Sequence, residues 1–367
     1  MSGSRFALYL LHMPIDDKPV KGRGASTQVR NRFQAQHYAI AEIEGVDEFD
    51  TEPGSTRFIE VYPKSIINRV DSPDIPFSWS VNPYQGCEHG CSYCYARPTH
   101  EYWGYGPGLD FERVVLLKRI APELLRHALG RRSWRPEWIS LSGNTDPYQP
   151  VERREGITRG LLQVLSDTRH PCGIITKNAL VLRDMDLLVP MAEQGLVRVA
   201  ISLTTLNEEL RRVLEPRTST SMARLRTIEE LSRAGVPVTV MAAPMIPGLN
   251  DSELPAILKA AADAGAVSAG YTVLRTNGAV AEVFDKWLRD HYPDRAAKVR
   301  AQTAAVHGGR MQDARFGTRM KGEGVFAQAI ARTFKVFSRR YFKGRTLPDL
   351  ESGLFRRPAD GQLDLFT

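Results

Sequence analysis

The run CEHGCSYC (residues 87–94) places three of the four cysteines of the chain, Cys87, Cys91 and Cys94, in a CxxxCxxC pattern. A cubane iron–sulfur cluster normally takes four thiolates, so three on one loop leave one iron without a protein ligand. An open coordination position is typical of metal sites that carry out chemistry. The run therefore predicts a catalytic [4Fe-4S] cluster. A zinc site is the alternative, with His89 or His100 as the fourth ligand.

The sequence around this run alternates between apolar stretches and helical patterns. Six near-continuous apolar stretches are typical of buried parallel strands: 77–82, 138–142, 173–177, 197–203, 236–243 and 269–275. Helical patterns lie between them at 155–166, 182–194, 221–234 and 251–264. The alternation predicts an α/β fold, an incomplete (β/α)6 TIM-like barrel of parallel strands. An additional strand is expected at 114–118, and Asn250–Asp251 is expected to cap the last helix, with Pro255 in its first turn.

Polar clusters follow these strands where each strand ends. The cysteine run follows the first strand, and the others follow in order: 142–150, Thr176–Lys177, 202–205 and 242–248. Barrel active sites form at the carboxyl ends of the strands. We therefore expect these clusters to meet in one site.

The chain divides by composition into four regions. They are an N-terminal extension (1–70), a barrel (71–276), a basic helical C-terminal region (277–355) and a tail (356–367). The segment 18–33 is basic and poor in large apolar residues, which predicts a mobile arm. No stretch is apolar over the length of a membrane span, and the N-terminal apolar run is too short for a secretory signal. Free thiols fit a reducing compartment, so we expect the protein in the cytoplasm without a membrane partner.

The net charge of +7 is concentrated near the C-terminus. Residues 310–345 contain ten Lys or Arg against Asp313 and Glu323, with six aromatic residues interleaved. Cations attract phosphates and aromatic rings stack on unpaired bases, which favours a nucleic-acid partner. The loop FGTRMKGEG (316–324) is typical of a contact loop. The aromatic residues at helical spacing are equally typical of a helix core.

The cysteine spacing resembles that of the radical S-adenosylmethionine enzymes. Within that superfamily the chain is similar, over roughly residues 75–275, to the spore photoproduct lyase group, also called DNA repair photolyases. The stretches that carry the resemblance are CSYCYA (91–96), NTD (144–146), ITK (175–177), ISLTT (201–205), EPRTS (215–219) and AGVPVTVMAAPMIPGLND (234–251).

The resemblance implies a cofactor set and a role for each matching residue. Cys87, Cys91 and Cys94 would ligate the cluster, whose open iron binds S-adenosylmethionine and cleaves it reductively to a 5′-deoxyadenosyl radical. The cofactor-binding residues would be Ser142, Lys177 and Ser202, supported by Asn144 and Asp146. Tyr93 and Tyr95 match positions beside the cofactor, with ordinary packing as the alternative. The electron would come from a donor such as flavodoxin or ferredoxin.

One departure concerns hydrogen return to the product radical. Spore photoproduct lyases carry a cysteine just before the Thr/Ser–Asp element, whereas residues 142–146 here are Ser–Gly–Asn–Thr–Asp. Cys172 precedes the third strand and is expected to be a small buried residue at the other end of the barrel. Thymine-dimer chemistry therefore does not transfer, and a tyrosine is the candidate relay.

The tail ends in QLDLF: Gln362, Leu363, Asp364, Leu365 and Phe366. This pentapeptide resembles the motif by which bacterial repair and replication proteins bind the sliding clamp of DNA polymerase. A short extended motif can become ordered in a partner groove. The alternative is a tail that folds back onto the core.

Three hypotheses follow. The favoured one is a clamp-tethered radical enzyme that repairs or modifies DNA. The second is a radical enzyme acting on RNA, a protein or a small molecule. The third is a non-catalytic iron–sulfur or zinc protein that binds nucleic acid.

Overall fold

Six parallel strands and one antiparallel edge strand form the main sheet. The computed structural model of the chain describes residues 20–33 and 55–358. The strands are β1 (Arg57–Glu60), β2 (Ile67–Arg69), β3 (Trp79–Val81), β4 (Tyr84–Gln85), β5 (Val114–Leu117), β6 (Ile139–Leu141), β7 (Cys172–Thr176), β8 (Val197–Ser202), β9 (Val238–Met245) and β10 (Ser268–Val273). The main sheet has the order β10-β9-β8-β7-β6-β3-β2, in which only β2 is antiparallel to its neighbour. A smaller sheet has the order β1-β5-β4.

The helices follow the strands of the main sheet. They are α1 (Asp110–Arg113), α2 (Ala121–Gly130), α3 (Glu152–Glu155), α4 (Ile157–Asp167), α5 (Met185–Glu193), α6 (Glu208–Leu214), α7 (Ser221–Arg233), α8 (Leu254–Asp263), α9 (Val280–His291), α10 (Pro293–Ala305) and α11 (Gly324–Tyr341). Short 3-10 helices span Arg97–Trp103, Ala179–Asp184 and Asp251–Glu253. The core lies between the sheet and these helices, and Leu161, Val199 and Leu258 are among its fully buried members.

The predicted α/β fold with a parallel sheet is confirmed. Each of the six predicted strands overlaps an observed one, and the predicted strand at 114–118 is β5 of the smaller sheet. Because the six strands are parallel, their carboxyl ends lie along one edge of the sheet. This is the arrangement of a partial TIM-like fold.

The predicted side-chain cap at Asn250–Asp251 is wrong, because Asp251 Oδ1 accepts from Gly248 N at 2.9 Å and Asn250 is bonded within the preceding loop. The Asn250 side chain donates to the carbonyls of Thr204 (2.8 Å) and Pro244 (3.1 Å), and it accepts from Ile246 N (2.6 Å). The Asn250 side chain therefore makes no hydrogen bond to the 3-10 turn Asp251–Glu253, which precedes α8. Pro255 does lie in the first turn of α8.

The prediction of a mobile arm at 18–33 is wrong for residues 20–33, the part that the structure describes. Arg23, Ala25, Val29 and Asn31 are buried. The N–H groups of Gly24 and Ala25 donate to the Glu112 carboxylate at 3.1 and 2.8 Å. Few apolar side chains are needed here because the backbone itself is held by a buried carboxylate.

The C-terminal helices combine core and surface roles. Phe334, Phe337 and Tyr341 of α11 pack against the main core and Phe342 is buried, so the core interpretation holds for this stripe. Phe316 and Phe326 are exposed. Among residues 20–33 and 55–358, no helix has the length and apolar character that a membrane crossing requires.

Candidate active site

The cysteine loop (residues 86–96) follows β4 and folds tightly against α1. Cys87 N donates to Phe111 O at 2.8 Å, and Cys94 N donates to Cys91 O at 3.2 Å. Gly90 has a φ of +64°, and a Cβ there would lie 2.7 Å from Glu112 Oε2. Only glycine combines this backbone conformation with so close an approach. Cys87 and Cys91 are buried and Cys94 is partly exposed.

A fully buried ion pair, Arg97–Glu112, sets the shape of this loop. The Arg97 guanidinium lies 2.5 Å from Glu112 Oε1, and both side chains have 0% exposure. Arg97 also donates two hydrogen bonds to Cys91 O, at 2.8 and 3.1 Å. Glu112 is the carboxylate that holds Gly24 and Ala25. One ion pair therefore joins the cysteine loop to residues 20–33.

Replacing Glu112 by Gln is expected to loosen this junction. The substitution keeps the shape but leaves the Arg97 charge buried without its partner, which should cost about 3–5 kcal/mol of unfolding free energy. Urea denaturation measures the loss, and trypsin cleavage at Lys21 should become faster. Glu230→Gln is the matched control, because its partner Arg226 is 78% exposed and such surface pairs contribute at most about 1 kcal/mol. An unchanged urea midpoint in Glu112→Gln would contradict the assignment.

The zinc alternative finds no support in the geometry. No three His, Cys, Asp or Glu side chains of the described residues converge on a position for a single ion. His89 lies 3.3 Å from Asp146, and His100 stacks on Tyr105 with its ring centroid at 5.2 Å. A cubane binds its cysteines at separate irons, so its ligands need not converge on one point.

Lys177 and Ser202 meet at the carboxyl ends of β7 and β8. Lys177 Nζ donates to Ser202 Oγ at 2.5 Å and lies 5.7 Å from the centroid of the Tyr93 ring. Burial raises the pKa of both Cys91 and Cys94, and the nearby Lys177 ammonium opposes this rise only in part. A cation therefore faces the predicted cluster ligands.

A buried carboxylate, Glu215, organises this part of the site. Glu215 has 0% exposure and lies 2.5 Å from Arg224 and 3.5 Å from Lys177 Nζ. Thr204 Oγ1 donates to it at 2.7 Å, and the Tyr93 hydroxyl donates to the same oxygen. Burial acts to raise the pKa of Glu215, but Arg224 and Lys177 bring it well below its ordinary value. Burial and Glu215 both raise the pKa of Tyr93, so its phenol stays protonated.

Asp146 positions the residues that flank Lys177. Its carboxylate accepts from Thr176 Oγ1 at 2.7 Å and from Lys177 N at 2.8 Å, and His89 lies on its other side. Although burial acts to raise the pKa of Asp146, His89 and these donors lower it, which keeps the carboxylate ionised. Asp146 thus fixes the backbone at the end of β7, where Lys177 lies.

Ser142 and Asn144 lie after β6 at the same edge. Ser142 has a φ of +100°, a strained conformation for a non-glycine residue and one that is concentrated at functional sites. Asn144 donates to Gln85 Oε1 at 2.7 Å and accepts from Thr99 Oγ1 at 3.1 Å. Asn144 therefore connects the loop after β6 to the segments on both sides of the cysteine loop.

Tyr95 differs from Tyr93 in its surroundings. Tyr95 is 56% exposed and its hydroxyl donates to Gly143 O at 2.8 Å. Burial lowers the pKa of Arg275, which follows β10. Tyr95 lies near enough to Arg275 to oppose this shift electrostatically. Tyr95 is thus the accessible tyrosine of the pair.

The donor set fits a [4Fe-4S] cluster with one open iron. Three thiols lie on one loop, and two of them, Cys87 and Cys91, are buried. Cys172, the first residue of β7, is buried at the opposite end of that strand from Lys177, as predicted. The motif residues Gln362–Phe366 lie outside the described residues.

Sequence reasoning assigned no role to Glu215, Arg97 or Glu112. Glu215 lies in the EPRTS stretch that carries the resemblance, which was the one available signal. Arg97 and Glu112 have no motif of their own. Their importance comes from full burial in the folded chain.

Comparisons with known proteins show the family to which the chain belongs. A family model described as the radical SAM superfamily matches residues 81–261. An uncharacterized protein of Mycobacterium tuberculosis is 37% identical over 303 residues, covering 82% of this chain and 84% of the relative. An uncharacterized protein of Methanocaldococcus jannaschii is 29% identical over 197 residues, covering 53% of this chain and 70% of the relative.

Solved structures of spore photoproduct lyase share the fold. The enzyme complexed with dinucleoside spore photoproduct has a TM-score of 0.56 at 15% identity, covering 81% of this chain and 86% of that one. A mutant with bound AdoMet and the same dinucleoside has a TM-score of 0.54 at 16% identity, covering 78% and 80%. The chain belongs to the radical S-adenosylmethionine superfamily, and the cofactors of that family are a [4Fe-4S] cluster and S-adenosylmethionine.

Proposed function

We propose that the chain cleaves S-adenosylmethionine reductively and uses the resulting radical to repair or modify DNA. The observation that carries the proposal is the juxtaposition of three cysteines on one loop with Lys177 and Ser202 at the edge of a parallel sheet. The fold shared with spore photoproduct lyase over most of the chain supports DNA as the substrate class.

Each site residue receives a role. Cys87, Cys91 and Cys94 would hold the cluster and leave one iron open to S-adenosylmethionine. When bound, the two cofactors would supply the radical chemistry for hydrogen abstraction from the substrate. Lys177 offers a cation to the methionyl carboxylate, and Ser142 and Ser202 offer hydroxyls.

Asp146, Asn144 and Glu215 act as positioning residues. Asp146 fixes the backbone at Lys177, and Asn144 fixes the loop that bears Ser142. Glu215 forms an ion pair with the Lys177 ammonium and accepts a hydrogen bond from the Tyr93 hydroxyl. A charged group that is held in advance loses little freedom when the cofactor binds.

Tyr95 is the proposed hydrogen donor to the product radical. Cys172 cannot serve, because it is buried at the far end of β7. Breaking the Tyr95 O–H bond and forming a C–H bond on the product leaves a tyrosyl radical. One electron from a flavodoxin or ferredoxin and one proton from solvent restore the phenol. Tyr93 is less accessible, and its ring packs beside the Lys177 ammonium.

Substrate dependence tests the proposed function. Anaerobically reconstituted protein with reductant and S-adenosylmethionine is incubated with ultraviolet-irradiated DNA, untreated DNA, RNA or no polymer. We expect 5′-deoxyadenosine to form fastest with DNA. Equal rates in all four samples would reject DNA as the substrate, and stimulation by RNA alone would favour the second hypothesis.

The C-terminal motif is proposed to tether the enzyme to the sliding clamp. Deleting Gln362–Thr367 should weaken binding to a bacterial clamp at least about 10-fold, because the anchoring Leu365 and Phe366 are lost. Surface plasmon resonance with immobilised clamp measures this loss. Asp360→Ala, just outside the motif, should bind as the wild type does. If the deletion leaves the affinity unchanged, tethering through this motif is rejected.

A further inference from the structure

We propose that three residues, joined to the cysteine loop by the 3-10 helix Arg97–Trp103, form an aromatic platform that stacks an unpaired base of the DNA strand. The platform comprises Arg32, Phe33 and Tyr102. The inference rests on the proposed function and specifies how its substrate class is held.

The rings of the platform are open to solvent. Phe33 is 57% exposed and Tyr102 71%. The Phe33 and Tyr102 ring centroids lie 5.1 Å apart, and the Arg32 guanidinium carbon lies 4.7 and 5.7 Å from them. Clustered exposed aromatic side chains are uncommon on a protein without a partner for them.

Buried polar contacts hold the platform in place. Asn31, which is buried, donates to Glu101 O at 2.9 Å and to Tyr105 O at 3.1 Å. Arg32 N donates to Glu101 Oε1 at 3.0 Å. Two segments distant in sequence are thus fixed together, so the rings lose little freedom when a ligand stacks on them.

The charge of the segment 20–33 favours a polyanion. This segment contains four Lys or Arg and no Asp or Glu, and Lys21, Arg30 and Arg32 are exposed. Arg32 also forms an ion pair with the Glu101 carboxylate at 3.3 Å, which holds its guanidinium beside the rings. Aromatic rings beside cations are the combination that binds single-stranded nucleic acid, because every base has a face that can stack.

The platform is joined to the cysteine loop by the 3-10 helix Arg97–Trp103. Tyr102 lies near the end of this helix, and its first residue, Arg97, donates from N to Cys94 O at 3.2 Å. Pro98 of that helix borders the loop after β10, since a Cβ at Gly278 would lie 3.5 Å from Pro98 Cγ. An enzyme that attacks a nucleotide must take it out of the stack, and a nearby stacking surface can hold a base of the opened strand.

Binding measurements on the reconstituted full chain test the platform. Fluorescence anisotropy compares a single-stranded DNA of about 12 nucleotides, its duplex and the same sequence as RNA. Phe33→Ala and Tyr102→Ala should each weaken single-strand binding about 10-fold without changing its salt dependence, because no phosphate contact is removed. Tyr62→Ala removes a tyrosine of matching exposure (70%) on the loop after β1 and should bind as the wild type does.

The outcomes separate this inference from the proposed function. If both platform variants bind single-stranded DNA within about twofold of wild type, the platform is rejected, and DNA-stimulated 5′-deoxyadenosine formation would leave the proposed function standing. Tighter binding of RNA than of DNA, lost in the same variants, would overturn the assignment to DNA. Unchanged cluster absorbance and thermal unfolding in the variants ensure that a loss of affinity reports on the rings.

Discussion

Cys91→Ala is expected to abolish cluster assembly and, with it, all cleavage of S-adenosylmethionine. Cys91 is buried in the centre of the cysteine loop, and its carbonyl is held by Arg97. Two remaining thiolates cannot hold a cubane that already lacks a fourth protein ligand. Iron analysis after reconstitution should give background values, and neither methionine nor 5′-deoxyadenosine should form.

Cys172→Ala is the matched control for this result. It removes the same thiol from a buried position at the start of β7. The cost should be limited to about 1 kcal/mol of packing, with full iron content and activity. Retention of wild-type iron and activity in Cys91→Ala would overturn the assignment of the cluster ligands.

Glu215→Gln is expected to damage both stability and cofactor binding. Glu215 and Arg224 are almost fully buried, at 0% and 1% exposure, and removing the charge of one leaves the other uncompensated. Breaking such a pair costs about 3–5 kcal/mol. Lys177 also loses its carboxylate neighbour and Tyr93 its charged acceptor, so affinity for S-adenosylmethionine should fall about 10-fold or more, equivalent to at least about 1.4 kcal/mol.

Urea denaturation and equilibrium dialysis against labelled S-adenosylmethionine measure the two effects. Glu229→Gln makes the same change in an exposed helical pair with Arg233, and it should alter neither property. A Glu215→Gln protein with the wild-type midpoint and affinity would show that Glu215 does not organise the site.

The parts of the site that depend on local sequence could be predicted. The cysteines lie within eight residues of one another, and the spacing of their thiols is a property of that loop. Lys177 and Ser202 could be placed together because the ends of adjacent parallel strands meet at one edge. The structure brings these two side chains into hydrogen-bond contact.

The parts that depend on burial could not be predicted. Glu215 gains its role from Tyr93, 122 residues earlier in the chain, and from Arg224, which is nine residues later but in α7. Residues 20–33 have the composition of a mobile segment, yet their backbone is held by Glu112, 88 residues from Gly24. In both cases one carboxylate supplies the contacts that the local sequence lacks. Such contacts have no period and no motif.

The open iron position is tested most directly by electron paramagnetic resonance of the reduced, reconstituted protein with and without S-adenosylmethionine. Binding of the methionyl group at that iron should change the spectrum of the wild type. The same addition should have a much weaker effect on Lys177→Ala. A wild-type spectrum that stays the same at saturating S-adenosylmethionine would contradict the assignment of the cysteine loop as a radical-generating centre.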